Sequence, residues 1–210
     1  EIAEKFTDKV YFFKWGDDFS AARNFAFDKA VCDLVMWLDA DDVVTDENCA
    51  KINELKNSFE GYDMAVLPYA ASFDGGQPNF VYNRERIFRR DGGYRFSGEV
   101  NEAVAPYGKI YYSDAVVYHK KEKANEPLRN LAILQKKIAA GKRLCARDKF
   151  YYGRELLFNK MYREAIAVLE DFMCGDGWFI NKAEACINLY HAYAALGEED
   201  KALSSLVRSM

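Results

Sequence analysis

The chain has 210 residues, of which 50% are hydrophobic and 30% are charged, enough to bury one large core or two modest ones. Its formal net charge of −4 gives no overall case for binding a nucleic acid polymer. No apolar run reaches the length of a membrane span, and the five cysteines are scattered without a C-x-x-C pair, which argues against a disulfide framework or a zinc site. We expect a cytoplasmic protein, either free or at the inner face of the membrane.

The first thirty residues are predicted to contain a helix end, a strand and a short helix. Residues 1–6 have the pattern of a helix end, and residues 9–13 have the pattern of a strand. Ser20 is a favourable N-cap, so the next helix is predicted over residues 21–30.

The start of this helix mixes apolar and polar side chains. Phe19, Phe25 and Ala26 are expected to face a sheet. Arg23 and Asn24 lie near the helix start. Without a ligand, Arg23 would be an ordinary solvated cation at the surface.

The most informative run is residues 34–38, five apolar residues that lead directly into the carboxylates Asp39, Asp41 and Asp42. The run predicts a buried strand of a parallel sheet, and ligands of open α/β sheets bind beyond the carboxyl ends of such strands. Clustered carboxylates repel one another unless a cation or donor groups neutralise them. A divalent ion shared with phosphate oxygens would do so. The alternative is a strand-ending turn that caps the following helix.

The remaining residues up to about 120 alternate between predicted helix and strand. A helix over residues 46–59 is expected to begin at Thr45 or Asp46. Strands are predicted over 63–71, 80–89, 109–112 and 115–118, with a loop at 73–78 and a tight turn at 91–93.

After His119 the pattern changes to that of a helical tail. Residues 120–123 form a charged link, and Asn125 with Pro127 predicts a helix start. A weak repeat follows, in which Ala165 and Ala202 occupy equivalent positions 37 residues apart. An ordinary helical hairpin is the alternative. We therefore expect an α/β domain over residues 1–123 and a helical domain over 124–210.

Four segments together resemble the family 2 glycosyltransferases of GT-A fold, particularly the bacterial branch with tetratricopeptide repeats after the catalytic domain. The order W-x-D-D-F-S-x-A-R-N, helix, apolar strand and D-A-D-D covers residues 15–42. Downstream, residues 86–90 resemble the R-L-F-R strand, 94–102 resemble F-x-G-x-V-H-E, and 116–119 resemble I-x-H. The resemblance implies a GT-A fold with a Rossmann-like sheet, followed by a tetratricopeptide-like tail.

The chain departs from the family pattern at two places. Asn101 stands where the family usually has histidine, and asparagine neither titrates nor ligates metals well. The family's first strands, which hold the nucleotide base, have no counterpart before residue 9, so an N-terminally truncated fragment is expected. These departures leave open a second hypothesis, a non-catalytic helical-repeat adaptor with a degenerate transferase domain.

The resemblance implies transfer of a sugar, with inversion, from a nucleotide diphosphate donor. A UDP-sugar is the expected donor, and the acceptor would be a glycan, lipid or peptide. Charge on the leaving diphosphate calls for Mn²⁺ or Mg²⁺ and for cationic groups, and the acceptor's proton calls for a carboxylate base. A protein partner is expected on the tetratricopeptide-like tail.

Site roles follow from the same resemblance. Asp41 is the expected direct metal ligand, Asp39 is assigned to the donor ribose or to the metal and its water, and His119 is a further ligand candidate. Asp42 either completes that shell or caps the next helix.

Cations and a base complete the expected site. Arg23 is expected on the nucleotide, whereas Arg86 and Arg89 are assigned either to the diphosphate or to surface ion pairs. Glu102 is the candidate base and Glu99 its rival, since both flank one short predicted strand.

Overall fold

The computed structural model describes residues 2–120, 126 and 128–208, and these residues divide into two compact units. The first unit holds the chain up to Gly16, Ser20–Ser97 and the residues from Glu102 to 120. The second holds Asp17–Phe19, Gly98–Asn101 and the helices that follow residue 126. Most of the predicted charged link, the helix start at Asn125 and Pro127, and the predicted boundary after residue 123 lie outside the described residues.

The first unit is built on a mixed, six-stranded sheet. Strand β3 is its centre, because it pairs antiparallel with β4 and parallel with both β7 and β8. The strand order along the sheet is β1-β4-β3-β8-β2, and β5 and β6 form a separate hairpin. The strands are β1 (Leu34–Met36), β2 (Asp42–Val43), β3 (Met64–Asp74), β4 (Gln77–Arg89), β5 (Phe96–Ser97), β6 (Ala103–Val104), β7 (Ile110–Tyr112) and β8 (Val117–His119). The expected α/β architecture is therefore present in coarse form.

Two strand predictions were wrong in detail. The strand at 34–38 is shorter than predicted, ends at Met36 and pairs antiparallel with β4, so it is not an interior strand of a parallel sheet. Leu38 is accordingly exposed. Residues 9–13 form no strand, because no described segment pairs with them, and a strand needs a partner to satisfy its backbone.

The predicted loop at 73–78 is instead a tight hairpin between β3 and β4. Only Gly75 and Gly76 separate the strands, and both have positive φ (54° and 82°), as a two-residue hairpin turn requires. Further along β4, Ala65 pairs with Ile87 whereas Val66 pairs with Glu85. Arg86 is therefore the extra residue of a β-bulge, a feature that redirects a side chain out of the regular alternation.

Two helices accompany the sheet, α1 (Phe19–Lys29) and α2 (Asp46–Asn57). Thr45 caps α2, as predicted, by accepting a hydrogen bond from the backbone N–H of Asn48. Helix α1 begins at Phe19, so Ser20 lies inside its first turn and is not the N-cap.

The apolar face of α1 was also assigned to the wrong residues. Phe27 is the buried aromatic and packs on Phe88 and Phe96, whereas Phe25 is half-buried and Ala26 is exposed. Phe27 lies four positions after Arg23, on the same helix face, so the face with the apolar anchor also carries the cation.

The second unit is helical, and its described residues contain no strand. Its helices are α3 (Arg129–Ala139), α4 (Ala146–Phe158), α5 (Tyr162–Cys174), α6 (Phe179–Ala195) and α7 (Glu199–Val207). Small residues permit close packing, since a Cβ on Gly153 would come within 2.6 Å of Leu169. Among the described helices of the chain, none has the combined length and apolar character needed to cross a bilayer.

Candidate active site

The turn that follows β1 brings the acidic residues together. The backbone N–H of Asp42 donates to the carbonyl of Asp39 (3.0 Å), and the N–H of Asp39 donates to Oδ2 of Asp42 (3.0 Å). These reciprocal bonds close the turn and fix the direction of the Asp42 carboxylate. Since Thr45 caps α2, the helix-capping role considered for Asp42 was wrong.

The Asp42 carboxylate is fully buried and is held by two partners from the centre of the sheet. Arg86 donates to its Oδ2 at 2.8 Å, and the Tyr69 hydroxyl donates to its Oδ1 at 3.0 Å. Arg86 is itself 0% exposed, lies 3.8 Å from the centre of the Trp37 ring and 4.5 Å from that of Tyr69, and donates to the Trp37 carbonyl. This is a rigid, dry anchor for the turn.

The anchor shifts the protonation equilibria of both partners. Burial lowers the pKa of Arg86 and outweighs the opposing charge of Asp42. Burial, supported by the negative charge of Asp42, raises the pKa of Tyr69 above its ordinary value. Tyr69 is therefore a neutral hydrogen-bond donor at physiological pH.

Asp41, Asp42 and His119 form a group suited to a metal ion, each offering one ligand atom within 4.8 Å of the others. The pairing of β2 with β8 sets Asp42 opposite His119. The His119 Nδ1 lies 3.6 Å from Asp41 and 3.5 Å from Asp42, and this buried atom has no hydrogen-bond partner among the described residues. An orphaned imidazole nitrogen facing two carboxylates fits a divalent cation, which accepts nitrogen and oxygen ligands. Asp39, expected to share the metal, is not in this group.

Asp39 is instead paired with Arg23 of α1. The two guanidinium Nη atoms contact its two oxygens at 2.8 and 3.2 Å, and Nε donates to Glu102. The guanidinium also stacks 4.1 Å from the centre of the Trp37 ring. Burial lowers the pKa of Arg23, but the hydrogen bonds and charges of Asp39 and Glu102 together raise it by more. The pKa of Arg23 is therefore above its ordinary value. One partly buried cation thus joins the acidic turn to Glu102.

The two candidate bases occupy different surroundings. Glu102 is buried in the first unit, whereas Glu99 belongs to the second unit and is paired with Lys137. The prediction that both flank one strand was wrong, because residues 98–102 form the loop between β5 and β6. Gly98 (φ 97°) and Asn101 (φ 51°) have left-handed backbone conformations that break an extended chain.

Arg89, predicted as a possible diphosphate ligand, and Asn24, the neighbour of Arg23, make other contacts. Arg89 pairs with Leu34 at the start of β1, the end of the strand opposite to the acidic turn, and makes an exposed ion pair with Asp91. The surface alternative considered for Arg89 is therefore the one observed. Asn24 exchanges two hydrogen bonds with the backbone of Phe96, at 2.9 Å each, and so ties α1 to β5.

The sequence analysis did not identify Tyr69 or Trp37 as site residues. Tyr69 reaches Asp42 only because β3 and β8 bring it beside the turn, and no local pattern signals that contact. Trp37 had a signal, since an aromatic residue two positions before a clustered acid can stack the cations that neutralise it. Its ring lies within 5.1 Å of Arg23, Arg84 and Arg86.

The strand ends of the mixed sheet thus gather carboxylates, a histidine and a stacked arginine. Residues 1–116 match the family model "Glycosyl transferase family 2", which covers more than half of the chain. The chain therefore belongs to glycosyl transferase family 2.

The chain is also similar to two curated proteins. These are the SPbeta prophage-derived glycosyltransferase SunS of Bacillus subtilis (strain 168) and the glycosyltransferase SunS of Bacillus phage SPbeta. Each is 27% identical over 177 residues, covering 77% of this chain. The chain spans 40% of the length of these relatives.

Proposed function

We propose that the protein is a metal-dependent, inverting glycosyltransferase that moves a sugar from a nucleotide diphosphate donor, UDP-sugar foremost, to a glycan, lipid or peptide acceptor. The observation that carries this proposal is the Asp41–Asp42–His119 group beside the Arg23 network. Membership of the family and the printed names of the relatives support sugar transfer as the reaction class.

The ligand set fits a divalent metal. Asp41, Asp42 and His119 would hold Mn²⁺ or Mg²⁺, which when bound supplies positive charge next to the leaving diphosphate. The Arg86–Asp42 pair keeps one ligand carboxylate in a single position. Because Arg86 is fully buried against Asp42, we assign it to this anchoring task and no longer to the diphosphate itself.

Glu102 is the proposed general base that takes the acceptor's proton. Arg23 fixes its carboxylate and, through Asp39, the acidic turn, so base and donor site keep a constant separation. Asp39 is the proposed partner of the donor's ribose, with Arg23 beside it for the nucleotide. A base held by one partly buried cation requires little rearrangement when substrates bind.

For the second unit we propose tetratricopeptide-like helix pairs that recruit the acceptor or a partner protein. Helices α5 and α7 start at Tyr162 and Glu199, the spacing that also separates Ala165 from Ala202. Both alanines are buried, as close packing of paired helices requires. Stacked pairs of this kind expose long surfaces for binding.

The metal site can be tested by measuring the melting temperature of the protein with Mn²⁺ alone and with Mn²⁺ and UDP together. Binding at 100 times the dissociation constant stabilises by about 2.7 kcal/mol, which raises the melting temperature measurably. Asp41→Asn should abolish this rise, whereas Asp91→Asn, an exposed and paired carboxylate elsewhere in the unit, should keep it. An equal rise in all three proteins would show that the Asp41 group does not bind the metal.

Turnover is then measured as UDP or GDP release from a panel of nucleotide sugars with Mn²⁺. Release that depends on Asp41 supports the transferase. Nucleotide binding without release, with any acceptor offered, would instead favour the adaptor hypothesis, for which the substitution at Asn101 is the supporting observation.

A further inference from the structure

The loop at Gly98–Asn101 is the only connection between β5 and Glu102, yet the sheet does little to shape it. The ladder of β5 and β6 ends at the pair of Ser97 with Ala103. Between these strands the backbone turns through left-handed conformations at Gly98 and Asn101. A loop with two such residues has no regular ladder to hold it: the backbone N–H of Phe19 donates to the Glu99 carbonyl at 3.1 Å, and side chains from elsewhere supply further contacts.

Those side chains belong to the second unit, which contains the loop. Lys137 of α3 donates to Glu99 and also to Asp148, at 2.9 Å from the latter. The Asp148 carboxylate in turn accepts from the N–H of Cys145 in the capping box of α4. Lys137 is 14% exposed, and although burial lowers its pKa, the two carboxylates raise it above its ordinary value. Glu99 is therefore fixed to the start of α4 through one partly buried ammonium group.

Asn101 is held by two arginines from the same helix. Arg147 donates to its backbone carbonyl, and Arg154 donates to its side-chain oxygen at 3.4 Å. Both guanidinium groups pack against the ring of Tyr151, at 4.9 and 4.6 Å from its centre. Stacking of this kind limits the freedom of the arginines before they meet the loop.

Val100, which lies between Glu99 and Asn101, is held by apolar packing. Val100 is 4% exposed and lies in a cluster with the buried Ile133 and Leu134 of α3. Glu99, Val100 and Asn101 are thus fixed in succession by an ion pair, an apolar socket and a pair of guanidinium groups. The next residue along the chain is Glu102.

We propose that Lys137, Arg147 and Arg154 are positioning residues for Glu102, acting through the loop at Gly98–Asn101. The proposal rests on the proposed function, because it assumes that Glu102 is the base. Arg23 orients the carboxylate of Glu102, and the loop sets its backbone. Displacement of a catalytic group by about 1 Å lowers turnover on the order of 10²-fold without removing any contact to the donor.

The test uses a double variant that carries both Arg147→Met and Arg154→Met. It is compared with the single variant Lys149→Met. Lys149 is the matched control, because it is a cation on the same helix and its ion pair, with Asp171 at 2.6 Å, does not involve the loop. Arg147→Lys is the rescue variant, since a lysine can still donate one hydrogen bond to the Asn101 carbonyl. The single Arg147→Met variant carries the test if the double variant melts well below the unchanged protein.

Two measurements are needed. The first is amide hydrogen exchange, read by mass spectrometry on a peptide that covers residues 98–102. The second is the kcat and KM for release of nucleotide from the nucleotide sugar that turns over fastest in the unchanged protein.

We expect faster exchange of the loop and a kcat lower by on the order of 10-fold to 10²-fold in the double variant, with an unchanged KM for the donor. Lys149→Met should show neither effect. Arg147→Lys should keep a loop exchange rate and a kcat close to those of the unchanged protein. Loop exchange as slow as in the unchanged protein, or a higher KM with full kcat, would overturn the proposal.

Failure of the base assignment has a different signature. If Glu102→Gln keeps full turnover, Glu102 is not the base, whatever the exchange rates show. If the double variant loses turnover while Glu102→Gln does not, the loop positions some other group and the present proposal is wrong.

Discussion

The two ends of strand β1 present the same chemistry in opposite environments. At one end Arg86 pairs with Asp42, and at the other Arg89, three positions further along β4, pairs with Asp91. The side chains of the first pair are both 0% exposed, whereas those of the second are 44% and 67% exposed. The residue types therefore do not tell the two pairs apart, although one pair joins distant parts of the chain and the other joins residues two positions apart.

The bulge at Arg86 and the bulk of Trp37 and Tyr69 create the difference. They turn one guanidinium inward and exclude water from it, so that the pair fixes the acidic turn. Removing one member of such a pair leaves a buried charge without compensation, whereas water replaces a partner at the surface. The dry ion pair therefore lies at the end of the strand where we propose the active site, and the exposed pair lies at the other end.

The largest effect should come from Glu102→Gln, which keeps size and hydrogen bonding but cannot accept a proton. General-base catalysis contributes about 10²–10⁴-fold, so turnover should fall by that factor while donor binding is kept. Asp91→Asn, which also removes a carboxylate beside an arginine, should leave turnover unchanged. If Glu99→Gln is crippled and Glu102→Gln is not, the rival carboxylate is the base.

Arg86→Met should destabilise the protein by about 3–5 kcal/mol, because the buried Asp42 loses its counter-ion. The measurement is the free energy of unfolding from urea denaturation. Adding Asp42→Leu to that variant should recover part of the loss, since two apolar side chains can replace a buried pair. A loss below about 1 kcal/mol, as at a surface pair, would break the comparison between the two ends.

Tyr69→Phe should have a smaller effect, about 1–2 kcal/mol, because one hydrogen bond to a buried carboxylate is lost. The raised pKa of Tyr69 means that the folded state binds the phenolic proton more tightly than the unfolded state. Its contribution to stability should be constant below the unfolded pKa of about 10 and should decline as the pH rises above that value. Unfolding of both proteins at pH 7, 9 and 10.5 checks the sign.

Arg89→Met should have the smallest effect, with no measurable change in melting temperature or turnover. The reason is that the Arg89–Asp91 ion pair is exposed, so water can solvate Asp91 once the guanidinium is removed. This variant sharpens the contrast with Arg86→Met on the same strand. A clear loss of activity with an intact fold would restore Arg89 as a donor-binding residue and place the site at both ends of β1.

Much of the local structure followed from the sequence. Thr45 has the hydroxyl and the position of an N-cap, and it caps α2. Residues 80–89 and 115–118 carry β-branched and aromatic side chains, and strands lie there. Errors arose where partners were needed, as at residues 9–13, which pair with nothing in the described chain, and at Phe25, whose helix face is set by packing.

The sequence by itself determined the gathering of acids after an apolar strand, the helical tail and the resemblance to the family that the chain belongs to, because these depend on neighbouring residues and their order. Only the tertiary structure decided which acids meet which cations. Asp39 takes Arg23, Asp42 takes Arg86, and the orphaned nitrogen of His119 faces Asp41 and Asp42. Pairings of this kind form between strands and helices far apart in the chain, and burial, which local sequence does not encode, sets their strength.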